Sequence, residues 1–152
     1  MNLKKKIEGD LTRALKDKNP TAISSLRFLL SAIHNEEIAK KKRDKLTDEE
    51  ISKVIFSLVK KHNDSIEAFQ KGSRQDLAEK EKSERQIIEK YLPKQLGEEA
   101  INKIVQDIID KNRDQPLVFG RIMGLVMKET KGQADGRVVN EIVKKSIEEQ
   151  DK

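Results

Sequence analysis

The chain contains no cysteine and no tryptophan, and aromatic residues make up only 3% of its 152 residues. The lack of cysteine excludes a disulfide framework, a thiolate metal site and a cysteine nucleophile. No stretch approaches the roughly 18 apolar residues that a membrane-spanning helix requires, and the first residues lack the apolar core of a secretory signal peptide. From these absences we predict a cytoplasmic protein with no membrane partner.

Charged residues are abundant where aromatic residues are scarce. They make up 39% of the chain, and the formal net charge is +5. The excess of basic over acidic side chains lies entirely in residues 1–92, because residues 93–152 hold equal numbers of the two kinds. An excess of this size is weak support for a nucleic-acid partner, since many solvated helical proteins carry as much.

Apolar residues recur at three- and four-residue intervals along the whole sequence and predict an all-α fold. Residues 1–92 carry four longer helical patterns, the third of which opens with Thr47 and Glu50 at capping-box spacing. The basic run at 40–45 is predicted to be the solvated end of the second helix. We predict that residues 1–92 form an N-terminal bundle of about four helices.

The pattern of long helical segments is interrupted at residues 91–100, YLPKQLGEEA, where a proline and a glycine indicate a hinge. Three shorter helical patterns follow, the sixth helix spanning about residues 117–129 and the seventh capped by Asp135. We therefore predict a second domain, a three-helix tail, at residues 93–152.

Several groups of polar residues are candidates for a metal-binding or catalytic site. Asp110, Asn112 and Asp114 resemble the start of an EF-hand loop, but Gln115 and Arg121 stand where the loop needs glycine and glutamate. The sequence also contains no nucleophile elbow, no Walker A loop and no dinucleotide fingerprint.

His62, Asp64 and Glu67 can be drawn as an acid–base cluster, although a polar helix face explains them more economically. Ser31 and His34 lie one helical turn apart, but no partner acid is evident. We predict no catalytic residue, no metal ligand and no cofactor.

Four of the seven glycines lie in GRIMGLVMKETKGQADG, residues 120–136. Gly120 and Gly124 fall one turn apart on the sixth helix, so one face of that helix lacks side chains. Such a face lets another backbone approach closely, either a neighbouring helix or a phosphate backbone. If a helix packs there, Gly124→Ala should destabilise the tail by overpacking.

Gly132 and Gly136 bracket the turn before the seventh helix, where Gly132 can accept a positive φ. Residues 120–137 hold four basic and two acidic side chains. Free N–H groups at a helix start, combined with basic side chains, are what a phosphate-binding surface needs. The lack of exposed aromatic residues disfavours stacking of single-stranded bases and favours structured RNA, recognised by its shape and backbone.

Nearly the whole chain carries segments that share one family likeness: LRFLLSAIHNEEI at 26–38, NDSIEAFQKGSRQDL at 63–77, YLPKQL at 91–96, MGLVM at 123–127, KGQADG at 131–136 and VVNEIV at 138–143. In their order and spacing these segments resemble the GatB/YqeY family, and in particular its freestanding YqeY-like proteins.

The resemblance implies two helical domains, the second similar to the tail domain of the B subunit of tRNA-dependent amidotransferase. In those larger enzymes the tail contacts the tRNA elbow, and the family is labelled as carbon–nitrogen ligase with glutamine as amido-N-donor. The catalytic parts of those enzymes lie outside the matching segments, so the resemblance implies an accessory role. By position, the RNA-binding residues would be Lys128, Lys131, Gly132 and Arg137, followed by Arg121 and Lys144.

Three functions stay open at this point. The first is a tRNA-binding accessory protein, whose partners would be tRNA or another structured RNA and an aminoacyl-tRNA synthetase or amidotransferase component. The second is an enzyme that uses the face of His62, Asp64 and Glu67. The third is a helical protein–protein interaction module, in which the glycines serve packing alone.

Overall fold

The computed structural model describes residues 2–41 and 45–150. These residues form seven α-helices and no β-strand, which confirms the predicted all-α fold for the described part of the chain. The helices are α1 Leu3–Lys16, α2 Pro20–Ala39, α3 Asp48–Lys71, α4 Gln75–Glu89, α5 Glu98–Lys111, α6 Phe119–Thr130 and α7 Gly136–Gln150. Residues 42–44, in the basic run predicted to end the second helix, lie outside the described residues.

Polar side chains fix the starts of several helices. Asn19 accepts a hydrogen bond from the Ala22 N–H at 3.2 Å, just before Pro20 at the first helical position. Thr47 and Glu50 form the predicted capping box, each side chain accepting the other residue's N–H, at 3.2 and 2.8 Å. An N-cap of this kind stabilises a helix by about 1 kcal/mol.

Among the described helices, none is long and apolar enough to cross a membrane.

Contacts divide the chain into two compact units, Met1–Leu92 and Pro93–Lys152. The first unit holds α1 to α4 and the second holds α5 to α7. Each has its own apolar core. The first core includes the fully buried Ile7, Leu29, Ile33, Ile51, Ile55 and Ile88. The second includes Val105, Ile109, Ile122, Val126, Val139 and Val143. The apolar stripes read from the spacing therefore face inwards within each unit.

The only tyrosine of the chain anchors the end of the first unit to its first helix. Tyr91 is 8% exposed, and its phenol donates a hydrogen bond to Oδ2 of Asp10 at 2.5 Å. Burial, and then the hydrogen bond and charge of Asp10, raise the pKa of the Tyr91 phenol well above its ordinary value. The folded state therefore favours the neutral phenol.

We expect Tyr91→Phe to lower the free energy of unfolding by about 0.5–1.5 kcal/mol near neutral pH, because the hydrogen bond to Asp10 is lost. In the unfolded chain the phenol ionises at about pH 10. The stabilisation by Tyr91 is therefore fully present below that pH and is lost as the pH rises towards the higher pKa of the folded state. Urea unfolding of both proteins at about pH 7 and about pH 11 measures this, and the difference between them should shrink at the higher pH. A difference that stays constant would contradict the prediction.

The segment after Pro93 is fastened to the turn between α6 and α7. The Leu96 N–H donates a hydrogen bond to the Gln133 carbonyl at 2.8 Å. The Gln95 side-chain amide donates to the Gly132 carbonyl at 3.2 Å. The Leu96 side chain also packs against the core of the second unit. Part of the predicted hinge thus belongs to the second unit and helps to hold the turn between α6 and α7 in place.

Candidate nucleic-acid interface

The turn between α6 and α7 has a left-handed backbone at two successive residues. Lys131, the C-cap of α6, has a φ of 44°, and Gly132 has a φ of 81°. Around them, the Gln133 N–H donates to the Thr130 carbonyl at 2.8 Å, and Thr130 and Ala134 are buried. The predicted positive φ at Gly132 is therefore present, in a turn that local hydrogen bonds and buried side chains hold in one shape.

Asp135 caps α7, as the sequence predicts. Its Oδ1 accepts the Arg137 N–H at 3.0 Å, and its carbonyl accepts the Val139 N–H at 3.1 Å. The carboxylate therefore already supplies a negative charge at the helix start. A phosphate bound at free N–H groups of α7, as the sequence suggested, would meet this charge, so binding of an anion here depends on the basic side chains.

One face of α6 is bare and open. Gly120, Gly124 and Lys128 follow one another at four-residue intervals on its solvent-exposed side, opposite the buried Ile122 and Val126. A Cβ atom added at either glycine would meet nothing within 4 Å. The interpretation in which a neighbouring helix of the described chain packs against these glycines is therefore wrong, and so is the expected overpacking in Gly124→Ala.

Three exposed basic side chains flank the turn between α6 and α7. Lys128 lies in the last turn of α6, Lys131 is its C-cap, and Arg137 lies in the first turn of α7. Lys128 and Lys131 form no ion pair within the described residues. Arg137 is 3.8 Å from Asp135, and its side chain remains 58% exposed. We call the set of Gly120, Gly124, Lys128, Lys131, Gly132 and Arg137 the basic glycine surface.

Arg121, a further predicted RNA-binding residue, is engaged within the chain. Its guanidinium donates to the Pro116 carbonyl at 2.8 Å and also contacts the Gln115 side chain. These bonds tie α6 to the loop that precedes it, where Val118 occupies the N-cap position without a side-chain hydrogen bond. Arg121 therefore has a structural partner, unlike Lys128 and Lys131.

Lys144 lies apart from the basic side chains at the turn between α6 and α7. It lines a shallow pocket together with Phe119, at the opposite end of α6 from Lys128. At 1.5 Å per residue, Phe119 and Lys128 are about 14 Å apart along the helix axis. The described residues therefore bring together Lys128, Lys131, Gly132 and Arg137, but they do not add Arg121 or Lys144 to that group.

The expected absence of exposed aromatic residues is wrong at two positions. Phe28 on α2 is 57% exposed and Phe119 on α6 is 38% exposed. The spacing places both on helices, but it could not show that they lie outside the apolar stripe. Because Phe119 stands alone beside the basic glycine surface, it offers no series of rings on which successive bases could stack.

The residues drawn as an acid–base cluster are not brought together. His62 Nδ1 donates a hydrogen bond to Oε2 of Glu81, on α4, at 2.6 Å. Asp64 is exposed, and Glu67 is paired with Lys71 at 2.9 Å. The spacing of residues within one helix could not identify Glu81 as the partner of His62. The hydrogen bond between them joins two helices and forms only because α3 packs on α4.

Curated relatives extend over most of the chain. "Altered inheritance of mitochondria protein 41, mitochondrial" of Pyrenophora tritici-repentis (strain Pt-1C-BFP) is 30% identical over 95% of this chain and 78% of its own length. The protein of that name from Kluyveromyces lactis is 35% identical over 76% of this chain and 66% of its own length. A subunit of the glutamyl-tRNA(Gln) amidotransferase of Methanobrevibacter smithii is 45% identical, over 35% of this chain and only 9% of its own length.

These relatives contradict the predicted cytoplasmic location. Both fungal proteins carry "mitochondrial" in their names, which points to mitochondria and away from the cytoplasm. The prediction failed because its grounds do not distinguish the cytoplasm from the interior of an organelle. They were the lack of cysteine, of a membrane-spanning apolar stretch and of a secretory signal peptide.

A family model described as Yqey-like protein matches residues 4–147. The match includes all the residues of the basic glycine surface and also His62 and Glu81 in the first unit. The likeness to the amidotransferase subunit agrees with the resemblance to the GatB/YqeY family inferred from the sequence. The chain therefore belongs to the YqeY-like family.

Proposed function

We propose that this chain is a tRNA-binding accessory protein related to tRNA-dependent amidotransferase, and that the basic glycine surface contacts the RNA backbone. One observation carries the proposal. Gly120 and Gly124 leave an open strip on α6 that continues directly into Lys128. A phosphate backbone can approach such a strip closely, and a cation at its end is positioned to bind it.

The charges around the turn support a backbone contact. Lys128, Lys131 and Arg137 flank one turn that is held in a fixed shape, so their positive charges stay close together. The aligned peptide groups of α6 place a partial negative charge at its C-terminal end, which stabilises the lysines there whether or not RNA is bound. The open glycine strip is what distinguishes a binding surface from ordinary charges at a helix end.

The link to tRNA rests on the relatives. The Methanobrevibacter smithii relative is named for an amidotransferase that acts on glutamyl-tRNA(Gln). This chain spans between about two thirds and four fifths of the length of the two fungal relatives described above but only a small part of that amidotransferase subunit. We infer that it supplies RNA binding to an aminoacyl-tRNA synthetase or amidotransferase component, and we assign it no catalytic residue.

The proposal is tested by measuring the affinity of the purified chain for total tRNA across a salt series, with duplex DNA as competitor. We expect preference for tRNA and a steep fall of affinity with salt, because each neutralised phosphate adds nearly one to the slope of log K against log salt. Weak binding that is equal for both polymers would remove the support for an RNA partner.

A second candidate function, a protein–protein interaction module, is favoured by apolar side chains beside the glycine strip. Val118, the N-cap of α6, is 57% exposed, and Leu125, next to Gly124 on α6, is 37% exposed. Exposed apolar residues next to a bare helix face suit a partner helix. In that case Val118→Ser with Leu125→Ser should abolish capture of the partner, whereas loss of the basic side chains should matter little.

A further inference from the structure

A cleft in the first unit combines polar and apolar walls from three helices. It has a volume of about 530 Å³ and is lined by residues of α2, α3 and α4. Its lining includes Ser25 and Phe28 from α2, His62 from α3, and Glu81 and Glu84 from α4. The cleft lies within the first unit, whereas the basic glycine surface lies in the second.

Three potential metal ligands converge on this cleft. His62 Nδ1 lies 2.6 Å from Oε2 of Glu81, and one carboxylate oxygen of Glu84 completes a group whose ligand atoms all lie within 4.8 Å of one another. Glu81 and Glu84 are three residues apart on α4 and therefore share one face of that helix. The side chains of His62 and Glu81 are only 13% and 24% exposed.

The two carboxylates of this group form no ion pair with the neighbouring basic residues in the part of the chain that the structure describes. Arg85 is turned to Asn63, at 2.7 Å, and to Glu89, at 3.4 Å. Arg27 and Lys61 also line the cleft, but within the described residues neither forms an ion pair with Glu81 or Glu84. Glu84 is partly buried and has no hydrogen bond or ion pair there. Two carboxylates thus face one imidazole, an arrangement that a cation would stabilise.

A second, independent feature marks the same cleft. Ser25 lines it from α2, is only 6% exposed, and its Oγ has no hydrogen-bond partner within the described residues. A buried hydroxyl without a partner is uncommon, because leaving it unsatisfied costs about 1–3 kcal/mol. A ligand or metal-bound water in the cleft would satisfy it.

We propose that His62, Glu81 and Glu84 bind a divalent transition-metal ion of the Zn²⁺ class. One imidazole nitrogen and two carboxylates match the donors that Zn²⁺ takes at about 2.0–2.2 Å, whereas Mg²⁺ prefers oxygen donors alone. On binding, the metal takes the place of the proton that His62 Nδ1 now donates to Glu81, and that proton is released to solvent. Three protein ligands leave a fourth position open to the cleft, where a water can reach Ser25.

The test is a calorimetric titration of the tag-free, full-length chain with Zn²⁺ after dialysis against a chelator, with Co²⁺ absorption as a second readout. We expect one ion per chain and a Co²⁺ spectrum typical of low coordination number. Glu84→Gln and His62→Gln should each weaken binding by more than about 100-fold, the upper end of what loss of an outer-shell partner costs. Glu84→Gln is the sharper variant, since Glu84 has no partner in the described fold whose loss could unfold the protein.

Two matched controls come from the chain itself. His34 is the only other histidine and is exposed on α2, and Asp64 is an exposed carboxylate on α3 close in sequence to His62. His34→Gln and Asp64→Asn should bind Zn²⁺ as the wild type does. The proposal is overturned if the wild type binds no Zn²⁺, or if Glu84→Gln, shown to be folded by circular dichroism, binds as tightly as the wild type. It is also overturned if His34→Gln abolishes binding, because the ion then occupies the surface.

Discussion

Replacing Lys128, Lys131 and Arg137 together by alanine is expected to remove most of the salt dependence of tRNA binding. If each side chain contacts one phosphate, the slope of log affinity against log salt should fall by about three. A fourfold rise in salt would then weaken the wild type about 60-fold more than the variant. The loss should be similar for all tRNAs, because contacts to phosphate carry no sequence information.

The matched control removes the same number of charges elsewhere in the second unit. Lys103 and Lys111 on α5 and Lys145 on α7 are exposed and lie outside the basic glycine surface. Their triple alanine variant has the same net charge as the test variant, so it reports the effect of charge alone. Equal losses in the two variants would show that tRNA responds to overall charge, and the site assignment would then fail. Circular dichroism should show that both variants keep the wild-type helix content.

The sequence predicted the helices well because their signals are local. Ile122 and Val126, for example, lie four residues apart, close to one helical turn, and both are buried. The capping box of Thr47 and Glu50 and the cap at Asp135 depend on residues only a few positions apart, so a short stretch of sequence contains each of them whole. The start of α6 is marked less sharply, because Val118 offers no side-chain cap.

The candidate sites were harder to predict, because they depend on which way each helix faces and on contacts between helices. The spacing of Gly120 and Gly124 showed a bare face but not whether another helix covers it. The sequence presents Arg121 as a free cation, because its bonds to Gln115 and Pro116 depend on the path of the preceding loop. The pair of His62 and Glu81 joins residues on two helices, and no short motif marks it.

The open face of α6 leads to a second prediction, in which stability and binding change in opposite directions. The double variant Gly120→Ala, Gly124→Ala is expected to raise the free energy of unfolding of the second unit by about 1–2 kcal/mol. Neither new methyl group would meet another atom within 4 Å, and alanine favours a helix more than glycine does. Affinity for tRNA should nevertheless fall, because the methyl groups keep the RNA backbone away from the helix.

The stability change is measured by urea unfolding and the binding change by the same salt series. Gly9→Ala is the matched control, since Gly9 lies on the exposed side of α1 and its added Cβ would also meet nothing within 4 Å. It should stabilise the first unit and leave tRNA binding unchanged. Gly132→Ala should act in the opposite direction and lower stability by about 1–2 kcal/mol, because alanine is strained at a φ of 81°.

The affinity of the double glycine variant for tRNA decides where the RNA backbone contacts the second unit. A loss of affinity with an unchanged salt slope would mean that the backbone runs along the strip while the same phosphates are still neutralised. Unchanged affinity, together with a loss in the variant lacking Lys128, Lys131 and Arg137, would confine the contact to the turn between α6 and α7. If affinity is unchanged in both variants, the open strip is left for a protein partner, and the exposed Val118 and Leu125 become the residues to test.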